Sequence, residues 1–246
     1  MLAWMKILNL GCGTRTSAHP DVINVDWSIY LRLKKNAVLR ALVPFVVSGE
    51  RLERFKALPP NIVVHNLARG IPFESDSIDL VYHSHLLEHL DQDVAARFVR
   101  EVARVLKPGG IHRVVVPDLE VACRKYLAHV DRCAEDPHEA PLHDSYVEAI
   151  IEQSVRREAR GTSQQPPARR FVENVILGDA RQQGDTHQWM YDRVNLAVLM
   201  TNAGFEEPKI RDYSSSGIPG WSQYRLDIDG DGNEYKPGSL YMEFRK

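Results

Sequence analysis

Gly11-Cys12-Gly13 and Asp26 are the first residues whose types and spacing could do chemistry. Two glycines one residue apart let the backbone turn sharply and leave room for a ligand to approach its amides. Asp26 follows the apolar run Val22–Val25, thirteen residues beyond Gly13. A carboxylate there would accept hydrogen bonds from two ribose hydroxyls. The dinucleotide fingerprint differs, wanting a third glycine where Thr16 sits and an acid about 20 residues on. A nicotinamide dehydrogenase is therefore the weaker reading of this loop.

A second group is rich in histidine. His83-Ser84-His85 closes an apolar run, His89 follows, and His187 stands with Trp189 and Tyr191 before a helical stretch. Imidazole has the ordinary pKa nearest neutrality, so His85 and His187 are the candidate general bases. His85 to His89 also spells HxxEH, the inverted zinc-peptidase pattern, with both imidazoles expected on one helix face. Such a site needs a further carboxylate ligand within a helical framework, and this string follows a strand. No metal site is expected here, and His89 is expected to be structural. Asp118 caps the following helix as readily as it touches a substrate. Asp227-Ile228-Asp229-Gly230-Asp231-Gly232 imitates the start of a calcium loop, but its twelfth position is Gly238 rather than a bidentate Glu. A polar turn is expected there.

These residues lie in a chain of 246 residues with 31 Lys+Arg, 33 Asp+Glu and a formal charge of −2, which makes no case for nucleic acid. Hydrophobic residues at 43% and charged residues at 26% fit a globular domain that needs no disulfide staples. The cysteines Cys12, Cys123 and Cys133 are odd in number and lack CxxC spacing, so neither a disulfide framework nor a Cys-rich zinc site is expected. No run approaches ~18 apolar residues and the N-terminus does not read as a signal peptide, so a cytoplasmic protein without stable membrane insertion is expected.

The elements that must position the candidates follow from periodicity. Lys6–Leu10, Val22–Val25, Ile62–Val64, Ile78–Tyr82 and Ile111–Val116 are short apolar runs ended by turn residues, the pattern of buried parallel strands. Val94, Phe98, Val102 and Val105 recur at helical spacing, with Asp91 as cap and Lys107-Pro108-Gly109-Gly110 as stop. Further helices are expected from Asp118 onward, over Asp144–Arg160 and over Asp192–Asn202, with strands at Pro208–Tyr213 and Ser239–Phe244. Gly161–Ala168 reads as a loop. The Arg-rich stretch Arg156–Arg170 reads as a solvated face, and the basic Leu31–Val47 as a buried cap helix. Alternating strands and helices predict a doubly wound α/β sheet.

In order, the chain reads ILNLGCG, INVD, HNLARGIPFESDSIDLVYHSHLLEHL, then REVARVLKPGGIHRVVVPDL. Over Lys6 to about Leu119 this resembles the class I S-adenosylmethionine-dependent methyltransferases, and HQWMYD…LMTNAGF…SLYMEF resembles their C-terminal end. The resemblance implies a Rossmann-like doubly wound seven-stranded sheet in a single domain, 1–246. Helical insertions at about 27–60 and 119–188 would form a cap. It implies that Gly11 and Gly13, with Leu10 and Cys12 beside them, bound the methionine moiety of S-adenosylmethionine, and that Asp26, followed by Trp27, holds the ribose. Asn66 and Leu67 would meet the adenine, and His83 and Ser84 would line the methionine side. The sequence departs from the pattern at Arg15, where a third glycine is common, and at Asn66, where Asp is more usual.

The activity implied is methyl transfer to a small-molecule acceptor, a hydroxyl of a sugar or secondary metabolite first and an amine second. A general base, His85 or His187, would serve a hydroxyl acceptor. A non-catalytic methyltransferase-like subunit would be expected to have lost the glycines or Asp26, and this chain retains them. An HxxEH zinc hydrolase is the remaining alternative.

Overall fold

The computed structural model describes residues 5–27, 61–153 and 187–246, together with Leu31, Lys34 and Phe55. Most of the first expected insertion, the expected loop Gly161–Ala168 and the Arg-rich stretch lie outside the described residues.

Five strands arise where the apolar runs predict them: β1 (Ile7–Leu10), β2 (Val22–Asp26), β3 (Ile62–Val64), β4 (Ile78–Ser84) and β5 (Leu106–Pro117). The helix α1 (Gln92–Val105) connects β4 to β5. Beyond β5 come α2 (Leu119–Glu135), α3 (His143–Gln153) and α4 (Arg193–Thr201), then β6 (Glu206–Arg211) and β7 (Ser239–Arg245). The seven strands lie in the order β3-β2-β1-β4-β5-β7-β6. The first five are parallel, and β7 runs antiparallel between β5 and β6. The order reverses between β1 and β4, so a crevice opens beyond their carboxyl ends, where such sheets take ligands.

Several boundaries differ from expectation, each for a local reason. α1 ends at Val105 and β5 begins at Leu106, ahead of the Lys-Pro-Gly-Gly turn. Leu106 pairs with Ile78 and Ile111 with Leu80, so the turn becomes a bulge within the strand. Asp91 is the N-cap of α1 but makes no capping bond with its side chain. β6 runs Glu206–Arg211 rather than Pro208–Tyr213, and Pro208 is tolerated because this strand is the sheet edge. Asp118 does cap α2, its Oδ1 accepting from the Val121 N–H at 3.2 Å.

Strand alternation divides the buried side chains between two faces. Leu8, Leu10, Val81, Val114, Val116, Met242 and Phe244 pack with α1 and α4. Ile7, Leu80, Tyr82, Val115 and Tyr241 pack with Ile218, Trp221, Tyr224 and Leu226 from the chain between β6 and β7.

That second face also buries a charge. Arg113 is fully enclosed, with Nε donating to Asp227 Oδ2 at 2.8 Å and Nη1 to Glu243 Oε1 at 2.7 Å. Its remaining donors reach the carbonyls of Asp212 and Ser215. Tyr82 and Trp221 also donate to Asp227. The calcium-like string is therefore an ion-pair anchor at Asp227 followed by a turn, in which Asp229 accepts from the Asp231 and Asn233 N–H groups.

On the first face His83 and His112 lie ring to ring at 5.0 Å, fully buried, with no hydrogen bond to any ring nitrogen. Burial lowers His83 from 6.5 to about 4 despite the nearby Glu88, and pushes His112 well below its ordinary value. The unfolded chain thus binds more protons than the folded one below pH 6.5, and stability must fall with pH. From His83 alone the expected loss between pH 6.5 and about 4 is roughly 3 kcal/mol. Urea unfolding across this range should show the slope, and His83→Leu should flatten it; an unchanged slope in that variant contradicts the assignment.

Candidate active site

The loop after β1 is built by a pair of asparagines that sit opposite each other in the β1–β2 register. Buried Asn9 donates to Asn24 Oδ1 at 3.0 Å and to the Arg15 carbonyl at 2.9 Å, while Asn24 holds Ser17 through its N–H and its carbonyl. Gly11 and Gly13 take the left-handed backbone at φ +62° and +52°. A Cβ on Gly11 would stand 2.9 Å from Leu86, and none of the loop's surroundings lies within 4 Å of one on Gly13. The Gly13 N–H donates to Asp26 Oδ2 at 2.8 Å, which ties the loop to the end of β2. Burial, reinforced by the charge of Asp26, raises the Cys12 thiol well above its ordinary value, so it stays protonated.

Beside this loop lies a cavity of about 210 Å³, walled by Gly11–Arg15, by Tyr82 and Ser84 of β4, by His85 just beyond it, and by Tyr235 and Lys236. The last wall is held on by Arg15. Its guanidinium donates to the carbonyls of Arg225 and Leu226 and lies 4.2 Å above the Tyr235 ring. The arginine that stands in place of a third glycine therefore bridges to the C-terminal segment, and the left-handed turns fall on the two glycines alone. Burial lowers the Lys236 ammonium, an effect partly offset by Glu88. The bridge made by Arg15 and the wall of Tyr235 and Lys236 leave no local signal in the sequence, because they depend on contacts more than 200 residues apart.

His85 stands at the cavity wall on a left-handed backbone, φ +52°, which is strained for a residue with a side chain. Its N–H donates to the Val115 carbonyl at 2.9 Å. Nε2 lies 2.9 Å from Ser239 Oγ, and Nδ1 lies 3.1 Å from Glu88 Oε1, an ion-pair distance without hydrogen-bond alignment. Glu88 is almost fully buried. Burial acts to raise its carboxyl, but His85 and then His89 hold it below the ordinary value.

Other expected site residues lie elsewhere. His83 does not reach the cavity, because alternation along β4 turns Tyr82 and Ser84 toward it and His83 toward Phe98 and His112. Leu10 is fully buried in the core with α1, so it offers backbone only. Asn66 caps the short helix Leu67–Arg69 through Oδ1, which accepts from the Ala68 N–H at 3.0 Å. Leu67 packs at the edge of the core, and Trp27 is exposed. His187 lies on the far side of Glu88, 5.0 Å from the His89 ring, in a narrow cleft with Trp189 and Tyr191. The HxxEH helix does not form. Leu87–His89 is a single 3-10 turn, and His85 turns away toward Ser239. Glu88, His89 and His187 instead bring their ligand atoms within 4.8 Å of one another.

Residues 8–114 match the family model described as "Methyltransferase domain". Those residues, from β1 into β5, are similar to a methyltransferase domain and make up somewhat less than half of the chain. The residues present fit S-adenosylmethionine, the cofactor implied by the sequence resemblance. The glycine cradle has space beside Gly13, and the Asp26 carboxylate borders the same loop. No curated protein sequence matches the chain. Among solved structures, it is similar to a SAM-dependent methyltransferase from Archaeoglobus fulgidus at 12% identity, over 99% of this chain and 87% of that one, with a TM-score of 0.42. A possible histamine N-methyltransferase from Thermotoga maritima is similar at 15% identity, over 100% and 84% of the two chains, with a TM-score of 0.41. A SAM-dependent methyltransferase from Methanosarcina mazei is similar at 17% identity, over 100% and 94%, with a TM-score of 0.42. No helix among the described residues is long and apolar enough to cross a membrane.

Proposed function

We propose that this protein is a methyltransferase that acts on a hydroxyl group of a polar small molecule, a sugar or secondary metabolite, with His85 as general base. The supporting observation is the imidazole of His85, held at the cavity wall between Glu88 and Ser239 on a strained backbone. An imidazole with a buried carboxylate beside one ring nitrogen and a hydroxyl against the other supports the role of a base. S-adenosylmethionine, when bound, supplies a methyl group already activated on a sulfonium, so the chain's own task is positioning and proton removal. Gly11, Cys12 and Gly13 would border the methionine moiety, Asp26 the ribose, and Asn66 and Leu67 the adenine. His85 would take the acceptor's hydroxyl proton at Nε2, while the bound cofactor would supply the methyl group to the acceptor oxygen and be released as S-adenosylhomocysteine. For this, Nε2 must exchange its contact with Ser239 for one with the acceptor. His187, across Glu88, would close the acceptor side, and the segments about 27–60 and 119–188 would form the cap that selects the acceptor.

The test is methyl transfer to a panel of hydroxylated and amine-bearing small molecules. His85→Gln is expected to lower kcat by roughly 10²-fold or more, with cofactor affinity nearly unchanged. Full turnover in that variant removes His85 as the base, and methylation confined to amines overturns the hydroxyl reading.

A further inference from the structure

Away from the cavity, in the α2–α3 hairpin, three potential ligand atoms converge on one point. His129 and Cys133 are one turn apart on the same face of α2, and His143 opens α3. Nδ1 of His129 lies 3.1 Å from Nδ1 of His143 and 3.4 Å from Sγ of Cys133. All three atoms fall within 4.8 Å of one another. We propose that His129, Cys133 and His143 bind a zinc ion that joins α2 to α3.

The spacings are those of a tetrahedral site. Bonds of about 2.0–2.1 Å to nitrogen and about 2.3 Å to sulfur place ligand atoms roughly 3.3 Å apart for N–N and roughly 3.6 Å for N–S. Hydrogen bonding accounts poorly for the same geometry. Nδ1 of His129 has either one proton or one lone pair, yet it faces both the other imidazole and the thiol. A cation at the centre satisfies all three groups together.

The surroundings are also those of a ligand. His129 is fully buried, and its outer nitrogen Nε2 makes no hydrogen bond but lies 3.5 Å from Glu139 Oε2, on the side where a carboxylate commonly supports a metal-bound imidazole. Tyr146 stacks on the ring at 4.1 Å. One thiolate and two imidazoles select zinc over calcium or magnesium, and water would complete the fourth position.

The hairpin has a physical need for such a joint. Over its seventeen residues α2 buries only His129, while Leu127 and Val130 on α2, Leu142 in the connection and Ile151 on α3 are exposed. A metal held between the two helices would add order to a pair that leaves these apolar side chains exposed.

The test uses the whole protein, purified without added metal, with zinc measured by mass spectrometry. About one zinc per chain is expected, lost in Cys133→Ser and in His143→Ala and kept in His187→Ala. Chelation should lower the wild-type Tm and added zinc restore it, whereas Cys133→Ser should respond to neither. This second readout separates lost metal from lost fold. Wild-type protein that carries no zinc and gains no stability from it overturns the proposal. So does zinc that persists in both hairpin variants and disappears in His187→Ala, which would move the ion to Glu88, His89 and His187.

Discussion

Exchange of Arg113 for methionine is expected to cost about 3–5 kcal/mol of stability, the range for removing one partner from a buried ion pair. The loss comes less from the missing contacts than from what stays behind. Asp227 would remain inside the protein without its cation, and Glu243 would keep only Arg211. Burial acts to raise the Glu243 carboxyl, but hydrogen bonds from Ser216 and the Gly217 N–H, together with Arg113, hold it below its ordinary value. A carboxyl depressed in this way stabilises the fold above the ordinary carboxylate range, and that contribution is lost as pH falls through the lowered value. Arg113→Met should therefore show its largest deficit near neutral pH and a smaller one in acid. Adding Glu243→Gln and Asp227→Asn to the variant should recover part of the loss. Urea unfolding measures both, and a deficit below about 1 kcal/mol would mean that water or rearrangement satisfies the stranded carboxylates.

Asp26→Ala is expected to weaken S-adenosylhomocysteine binding by at least about 100-fold, read by titration calorimetry. Hydrogen bonds to a charged acceptor contribute about 1.5–3 kcal/mol each, and Asp26 is proposed to accept two from the ribose. The variant also releases the Gly13 N–H, so the loop loses its tie to β2. Asp26→Asn keeps a neutral acceptor for Gly13 and should fall between the two. Unchanged affinity in Asp26→Ala would take the residue out of the cofactor site.

The central strands were legible because Ile7–Leu10, Val22–Val25 and Ile62–Val64 are short apolar runs bounded by turn residues, and burial in a parallel sheet demands that composition. The glycine loop and Asp26 were legible for a similar reason, since they are close in sequence as well as in space. What escaped reading depends on distant partners. Asp227 looks like one more acid in a polar turn until Arg113, 114 positions earlier, is found beside it. Arg15 looks like a misfit in a glycine loop until its carbonyl partners near position 225 are known. His83 is a different case. The period of two along β4 already separates it from Ser84, but two histidines flanking a serine drew both to one site. Cys133 has no cysteine at metal-ligand spacing in the sequence, and the residue beside it in the fold is a histidine.

The position of β7 between β5 and β6 has a consequence for synthesis on the ribosome. Until residues 239–245 have emerged, β5 presents an open edge and β6 has no strand to pair with. Such edges invite pairing with other chains. Arg113 on the nascent β5 would likewise wait for Asp227 and Glu243, so the cost of enclosing it is deferred until its partners exist. Tyr235 and Lys236 close the cavity at the same late moment. The parallel half of the sheet can assemble first, but the binding site becomes complete only with the final hairpin.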